Sequence, residues 1–256
     1  MRSLRFLVSR RWILFAIVVA LLVYLTWILG QWQFHRLAER KASNAITVRN
    51  EDATPVPVSD VLAPGRAVSP DDEWRLVTAT GTYDTDSTVI VRYRTREGTS
   101  GVEVVVPLVL DGGTSLLVDR GWAMTDNIGS ATAADVPAPP SGEVTVEGWV
   151  RVDATGDSTH VSNLSTRAIS SKEIGAALDR DVYGGFIDLK SEDPPPATPL
   201  AATELPDLGN GPHFFYGLQW WFFGALATFG FFYLAFDEWR RNTGRRPARG
   251  SVPEDP

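Results

Sequence analysis

The sequence predicts an α+β membrane protein in which two transmembrane helices flank an extracytoplasmic, antiparallel β-rich domain, either a sheet or a small barrel, with one short helix. Three observations lead to this fold class. An uncharged apolar run lies near each end of the 256-residue chain, segments rich in Val, Thr and aromatic residues alternate with turns between them, and arginines cluster after the second run.

Each apolar run is long enough to span a membrane. Residues 12–29 are 18 residues without a charge, about 27 Å as a helix, and the 23 residues of 214–236 reach about 34 Å. Tryptophans mark the ends of both runs, as in an interfacial aromatic belt; they are Trp12, Trp27, Trp32, Trp220, Trp221 and Trp239. Because no A-x-A-like site follows the first run, we expect an uncleaved anchor rather than a signal peptide.

Small residues predict that the two helices pack together. Ala16 and Ala20 in the first helix, and Gly224 and Thr228 in the second, are four residues apart and form small-xxx-small faces. Such faces let two membrane helices approach closely. Buried core helices of a soluble protein are the alternative for these runs, but two runs that bracket a polar middle favour membrane spans.

The distribution of arginine predicts the orientation in the membrane. Basic residues stand on both sides of the first helix, so the second helix decides. Residues 194–213 contain no Arg or Lys, whereas five arginines follow the helix: Arg240, Arg241, Arg245, Arg246 and Arg249. We therefore expect a multi-pass protein of a bacterial plasma membrane, with both termini in the cytoplasm and the main domain outside. The excess of Arg over Lys reflects the genome, as in high-GC bacteria.

The predicted organisation has seven parts. They are a cytoplasmic N-terminus (1–11), the first transmembrane helix (12–29), a juxtamembrane helix and extended connection (30–73), the β domain (74–193), a Pro-rich return linker (194–213), the second transmembrane helix (214–236) and an Arg-rich cytoplasmic tail (237–256). The first helix is expected to continue to Ser43, before a stretch of spaced prolines.

The β domain is predicted from alternating patterns and turn signals. The predicted strands are 74–83, 88–95, 102–110, 115–123, 143–151 and 182–189. The turn at 111–114 joins two of them as a hairpin. Ser170 and Glu173 form a capping-box pattern that predicts a short helix. Arg120 and Trp122, two residues apart on a strand, are expected to point to the same face.

Composition and motifs exclude most functions. The absence of cysteine excludes disulfides and thiolate metal sites, and the acidic balance, 31 acidic against 24 basic residues, argues against nucleic-acid binding. The sequence contains no nucleophile elbow, no P-loop and no H-E-x-x-H pattern. We therefore expect no catalytic residues, no protein metal site and no enzymatic activity.

Two places carry candidate binding residues. His213 stands at the outer mouth of the second helix, where it could ligate haem iron or simply cap the helix. Trp32, Arg36 and Arg40 recur every four residues on one helix face, with Gln33 close by. An arginine there could clamp a carboxylate such as a haem propionate, or reach a lipid phosphate.

Four motifs, in order between the two anchors, resemble the surfeit-locus protein 1 family. Residues 29–36 resemble its opening L-G-x-W-Q-x-x-R, and residues 74–84 resemble its W-x-x-V-x-x-x-G-x-Y-D strand. Residues 118–122 resemble V-N/D-R-G-W/F, and residues 211–220 resemble the closing N-H-x-x-Y-x-x-Q/T-W. The chain departs from the pattern at Glu39, where many members have an aromatic residue.

The resemblance implies a non-catalytic assembly factor for haem-copper cytochrome c oxidase, which assists haem a delivery to the core subunit or stabilises that subunit. Haem a, bound transiently, is the implied cofactor, and His213 is the implied axial ligand. Arg36 and Arg120 become candidates for propionate or partner contacts; structural pairing with acidic neighbours is their alternative. The remaining motif residues are Trp32, Gln33, Tyr216, Gln219 and Trp220.

The implied partners are oxidase subunits and the lipid bilayer. A scaffold or accessory subunit of the oxidase complex that binds no haem is the competing interpretation. A ligand sensor is disfavoured, because only 17 residues follow Trp239.

Overall fold

A computed structural model describes residues 2–51, 53–126 and 129–244. The chain divides into two compact units. One, the helical unit, comprises Met1–Ala42 and Leu208–Pro256; the other, the β unit, comprises Ser43–Asp207. Three of the arginines on which the predicted orientation is based lie outside the described residues. They are Arg245, Arg246 and Arg249.

The regular elements follow one another as helix, mixed β segment and helix. The helices are α1 (Arg10–Glu51), α2 (Ser171–Leu178) and α3 (His213–Gly244). The strands are β1 (Val56–Pro57), β2 (Leu76–Tyr83), β3 (Val89–Arg96), β4 (Thr99–Leu110), β5 (Ser115–Met124), β6 (Glu143–Arg151), β7 (Ser165–Thr166) and β8 (Phe186–Asp193).

Two helices, α1 and α3, are long and apolar enough to cross a membrane, as predicted. Only 6% of each apolar window is buried inside the structure, unlike the core helix of a soluble protein. Helix α1 extends past the predicted end at Ser43 because its last turn is anchored in the β unit. There the Asn50 side chain donates to the carbonyl oxygens of Asp71 and Glu73, each at 2.8 Å.

The two long helices pair through glycines that receive larger side chains. A Cβ atom at Gly224 would lie 2.6 Å from Thr26 Oγ1, and one at Gly217 would lie 2.8 Å from the Phe34 ring. Close approach at Gly224 confirms the predicted helix contact. The other three small residues of the predicted faces line an apolar crevice of about 500 Å³ instead of a tight contact. They are Ala16, Ala20 and Thr228.

The β unit is a small closed barrel. Its strands follow the order β2–β6–β8–β5–β4, and β4 pairs back to β2 at Gly81↔Leu110 and Tyr83↔Leu108. Closure leaves no open edge among these five strands. Strands β3 and β7 extend the sheet beyond β4, and β1 lies beside β2.

Most strand pairs are antiparallel, as predicted for the β domain. Three pairs are parallel, namely β1–β2, β3–β7 and β5–β8. The β5–β8 pair is parallel because β8 comes late in the chain and enters between β5 and β6, which run in opposite directions; β8 is antiparallel to β6 and parallel to β5. Parallel neighbours need long connections instead of hairpins, and residues 125–185, which include β6, β7 and α2, connect β5 to β8.

Hydrophobic side chains fill the barrel and the space beneath α2. The interior contains fully buried valines and larger aliphatic residues, among them Val77, Val104, Val118, Val146 and Ile187. A second cluster joins Leu117, Val105 and Ile174 of α2. Ser170 caps α2 as predicted, since its hydroxyl accepts from the Glu173 backbone N–H at 3.5 Å.

The last strand lies four residues later than predicted. Residues 182–185 cannot extend β8 because Gly185 has a left-handed backbone, with φ of 83°. A side chain at Gly184 would collide with the Arg66 carbonyl oxygen. The Pro-rich residues 194–212 form no helix or strand, as predicted, apart from one bridge between Ala201 and Trp122.

Candidate functional site

His213 is the first residue of α3. The Tyr216 backbone N–H donates to the Pro212 carbonyl at 3.1 Å, which closes the first helical turn. His213 Nδ1 lies 2.8 Å from Oε1 of Gln33 on α1, a residue 180 positions earlier. An amide oxygen only accepts hydrogen bonds, so this contact requires a proton on Nδ1. In the neutral tautomer that satisfies it, the lone pair is on Nε2.

The Nε2 side of the ring is open. His213 Nε2 makes no hydrogen bond to any residue in the described part of the chain, and the side chain is half-buried. Gly211 faces it with a φ of 63°; a Cβ atom there would stand 3.3 Å from Cδ2 and 3.6 Å from Nε2 of the ring. The absence of a side chain at Gly211 thus allows the left-handed backbone conformation and leaves space beside Nε2.

A second contact attaches the start of α3 to α1. Arg40 Nε donates to the Gly209 carbonyl at 2.5 Å. Gln33 and Arg40 are seven residues, or two turns, apart and therefore share a side of α1. The two bonds hold the segment around His213 against one face of α1 from both sides of the Gly-Pro turn.

Arg36 lies near this face but points toward solvent. Its guanidinium carbon is 5.9 Å from the centre of the Trp32 ring, and its Nη1 is 3.2 Å from Glu39 Oε2. Glu39 also pairs with His35 Nε2 at 3.2 Å. The Arg36 side chain is 55% exposed, so this pair is a weak surface interaction that a stronger carboxylate ligand can replace.

Two of the closing-motif residues on α3 point outward. Tyr216 and Gln219, three residues apart, form an outward stripe, in which Tyr216 is 48% exposed; Trp220, four residues after Tyr216, is half-buried. The helix contact itself is made by Trp221, which stacks on Trp27 with ring centres 5.3 Å apart. Trp221 was not predicted as part of the site. Its position four residues after Gly217, on the same face of α3, is the sequence feature that could have indicated it.

Arg120 is buried in the β unit. Its side chain is 1% exposed and its Nη2 is 2.9 Å from Glu192 Oε1, itself 4% exposed. Nη1 donates to the Pro137 carbonyl at 3.2 Å, and the guanidinium carbon is 5.6 Å from the Tyr83 ring centre. Burial, reinforced by Glu192, raises the pKa of Tyr83 far above its ordinary value. This environment favours the structural alternative for Arg120.

Arg120 and Trp122 do not share a face, contrary to the sequence-based expectation. The ladder between β4 and β5 shifts so that Trp122 pairs with Glu103 and Asp119 pairs with Val105. Because Glu103 and Val105 lie on the same face of β4, Trp122 and Asp119 share a face of β5, and Arg120 occupies the other. A bulge at left-handed Gly121, with φ of 121°, produces the shift.

The SURF1 family model matches residues 20–225. The chain belongs to the SURF1 family. The match starts within α1 and ends within α3, so it includes both Gln33 and His213.

SURF1-like proteins of Mycobacterium bovis and of two strains of Mycobacterium tuberculosis, each named as uncharacterized, are 34% identical to this chain over 261 aligned residues. The alignments cover 100% of the chain and 94% of each relative. The similarity to these SURF1-like proteins therefore extends over both helices and the barrel.

Proposed function

We propose that this SURF1-family protein assists the assembly of haem-copper cytochrome c oxidase by holding haem a, as cargo for the core subunit, with His213 as the axial ligand. The single observation that carries the proposal is the bond between Gln33 Oε1 and His213 Nδ1 at 2.8 Å. A haem iron needs a neutral imidazole with an open nitrogen, and this arrangement supplies one.

The residues around His213 fit an axial ligand rather than a helix cap. A cap residue directs its polar atom at the backbone N–H groups of its own helix. The ring of His213 instead uses Nδ1 for a side chain of the other helix, and Gly211 leaves Nε2 open. A hydrogen bond to the second nitrogen fixes the ring orientation and raises the basicity of the ligating nitrogen.

Arg36 is the candidate for a propionate contact. Guanidinium groups bind carboxylates through paired, charge-assisted hydrogen bonds. The exposed pair between Arg36 and Glu39 would open to admit the propionate, at little cost because both side chains are about half exposed. Trp32, whose ring lies against Arg36, would orient the guanidinium.

The proposal includes the orientation of the chain. Arg240 and Arg241 belong to the last turns of α3, and residues 194–213 lack basic side chains. By the positive-inside rule, both termini are cytoplasmic and the β unit is extracytoplasmic. The start of α3, with His213, then lies at the outer surface of the membrane.

The test is replacement of His213 in cells that synthesise haem a. His213→Ala should abolish haem a that copurifies with the detergent-solubilised protein and reduce active oxidase, while protein abundance and copurification of oxidase subunits persist. His35→Ala is the matched control. His35 follows the apolar part of α1, as His213 precedes that of α3, but its side chain is 74% exposed and paired with Glu39. It should retain haem.

A scaffold that binds no haem is the second candidate. The outward stripe of Tyr216 and Gln219 supports it, because an exposed aromatic side chain on a membrane helix suits contact with another subunit. If wild-type protein carries no haem a and His213→Ala supports normal oxidase, the haem proposal fails and the scaffold replaces it. Loss of subunit copurification on changing the stripe would support the scaffold directly.

A further inference from the structure

A cleft of about 380 Å³ opens in the β unit, apart from the candidate haem site. Seven charged side chains line it: Glu73, Arg94, Glu103, Asp119, Arg151, Asp153 and Asp188. Asp119 and Asp188 are register partners on the parallel strands β5 and β8, and each residue is only 2% exposed. Two carboxyl groups are thus held side by side at the base of a cleft.

Both arginines of the cleft already have acidic partners. Arg94 Nε lies 2.9 Å from Glu103 Oε2. Arg151 Nη1 is 2.5 Å from Asp188 Oδ2 and its Nε is 3.4 Å from Glu73 Oε1. With Asp153, five carboxyl groups therefore face two guanidinium groups, and the excess is negative. An anionic ligand would have to displace these pairs.

Asp119 has unused binding capacity in the cleft. Its Oδ1 accepts the Gly121 backbone N–H at 3.0 Å. Its Oδ2 accepts no hydrogen bond from any other described residue. Burial, followed by the neighbouring Glu103 and Asp188, raises the Asp119 pKa well above its ordinary value. Asp153, which also lines the cleft, differs because its two oxygens accept from the backbone N–H and hydroxyl of Ser171.

The surroundings favour an organic cation over a metal ion. Among the residues that the structure describes, no three His, Asp or Glu side chains are arranged to hold a metal. A neighbouring cleft of about 470 Å³ shares Arg94 and Glu103 and adds the rings of Tyr93 and Trp122, over which the chain's own Arg167 and Arg96 lie at 5.9 and 5.5 Å. Aromatic faces beside carboxylates suit guanidinium and alkylammonium groups, which bind through ring faces and charge-assisted hydrogen bonds.

We propose that this cleft binds a guanidinium or alkylammonium group, anchored by the carboxylates of Asp119 and Asp188. The group can belong to a free small amine or to a basic side chain of a partner protein, since both present the same chemistry. The inference does not depend on haem binding.

Calorimetric titration of the purified full-length protein tests the proposal. The probes are agmatine, for a free amine, and N-acetyl-arginine methylamide, for a protein side chain. At least one should bind, and Asp119→Asn and Glu103→Gln should each weaken that binding about tenfold or more, since each removes a charge-assisted partner. Glu147→Gln is the matched control, because Glu147 pairs with Lys190 outside the cleft; it should bind like wild type.

The pH dependence and the probe preference refine the outcome. The Asp188 pKa is raised to about 6, chiefly by burial, so binding should strengthen as the pH rises from about 5 to 7 and Asp188 ionises. Tighter binding of agmatine identifies a free amine, and tighter binding of the blocked arginine identifies a partner's side chain. The proposal is overturned if neither probe binds at about 10 mM, or if Asp119→Asn and Glu103→Gln both bind like wild type.

Discussion

Gln33 and His213 are hydrogen-bonded across the two long helices, with 2.8 Å between Oε1 and Nδ1. If His213 is a haem ligand, Gln33 is its positioning residue. Gln33→Ala should lower haem a retention by about 10- to 100-fold without loss of protein, whereas Gln33→Glu should retain haem because a carboxylate also accepts from Nδ1. Haem absorbance per purified protein is the measurement.

The control for Gln33 is Gln31→Ala, which changes an exposed glutamine on the same helix. It should bind haem like wild type. Equal haem retention by Gln33→Ala and Gln31→Ala would show that the contact with His213 has no role in ligand binding.

The contact between Thr26 and Gly224 predicts an engineered disulfide. A Cβ atom at Gly224 would lie 3.6 Å from Thr26 Cβ, within the range that a disulfide requires. The chain contains no cysteine, so Thr26→Cys with Gly224→Cys gives a clean pair. Mild oxidation in membranes should join α1 to α3, which protease cleavage between them followed by non-reducing electrophoresis would reveal.

Gly230 provides the matched control for the cross-link. A Cβ atom there would have no neighbour within 4 Å. Thr26→Cys with Gly230→Cys should remain uncross-linked under the same oxidation. Similar cross-linking of both pairs would mean that the two helices do not hold the register seen here.

The buried pair of Arg120 and Glu192 predicts a stability effect. Arg120→Ala should lower the free energy of unfolding of the β unit by about 3–5 kcal/mol, because it leaves a carboxylate buried without a partner. Replacing both residues, as Arg120→Met with Glu192→Met, should recover most of that loss. Denaturant titration followed by tryptophan fluorescence measures both variants.

A different result would restore a functional role for Arg120. If Arg120→Ala unfolds at the same denaturant concentration as wild type but lowers oxidase assembly, the side chain contacts a partner or propionate rather than stabilising the barrel.

The neighbouring carboxyl groups of Asp119 and Asp188 predict how stability depends on pH. The pKa of each is raised by burial, that of Asp188 to about 6 from an ordinary 3.8, so the folded β unit binds protons more tightly than the unfolded chain. The contribution of both groups to stability is therefore greatest at acidic pH, and that of Asp188 is lost as the pH rises through about 6.

The measurement is the melting temperature of wild type and Asp119→Asn at several pH values. Asp119→Asn should reduce the decrease in melting temperature with rising pH, since the amide cannot ionise. An Asp135→Asn control should not reduce that decrease, because the Asp135 pKa is lowered by hydrogen bonds from Thr132 and its contribution lies at more acidic pH. Identical pH profiles for wild type and Asp119→Asn would contradict the assignment.

Single cysteines test the orientation. Ser191→Cys should react with a membrane-impermeant maleimide in intact cells, because Ser191 is exposed in the β unit. Thr243→Cys, exposed at the end of α3, should react only after the cells are permeabilised. The reverse pattern would place the β unit in the cytoplasm and remove the outer-surface site from the proposal.

Local patterns in the sequence predicted the helices, most strands and one helix start, because these features depend on residues close together in the chain. Uncharged runs of sufficient length predicted α1 and α3, and alternating residues with turn signals predicted β2 to β6 to within a few residues. The hydroxyl of Ser170 and its spacing to Glu173 predicted the start of α2. His213 was also found from sequence, because its position after Gly211 and Pro212 identified it as the residue that begins a membrane helix.

Only the tertiary structure decided which distant residues meet. Gln33 pairs with His213 across 180 positions, β8 enters between β5 and β6, and a bulge at Gly121 turns Arg120 away from the face of Trp122. Periodicity reports which face of its own element a residue occupies, but not which element covers that face. Register shifts and strand insertion depend on long-range packing, so the burial of Arg120 and the pairing of Asp119 with Asp188 followed from the fold alone.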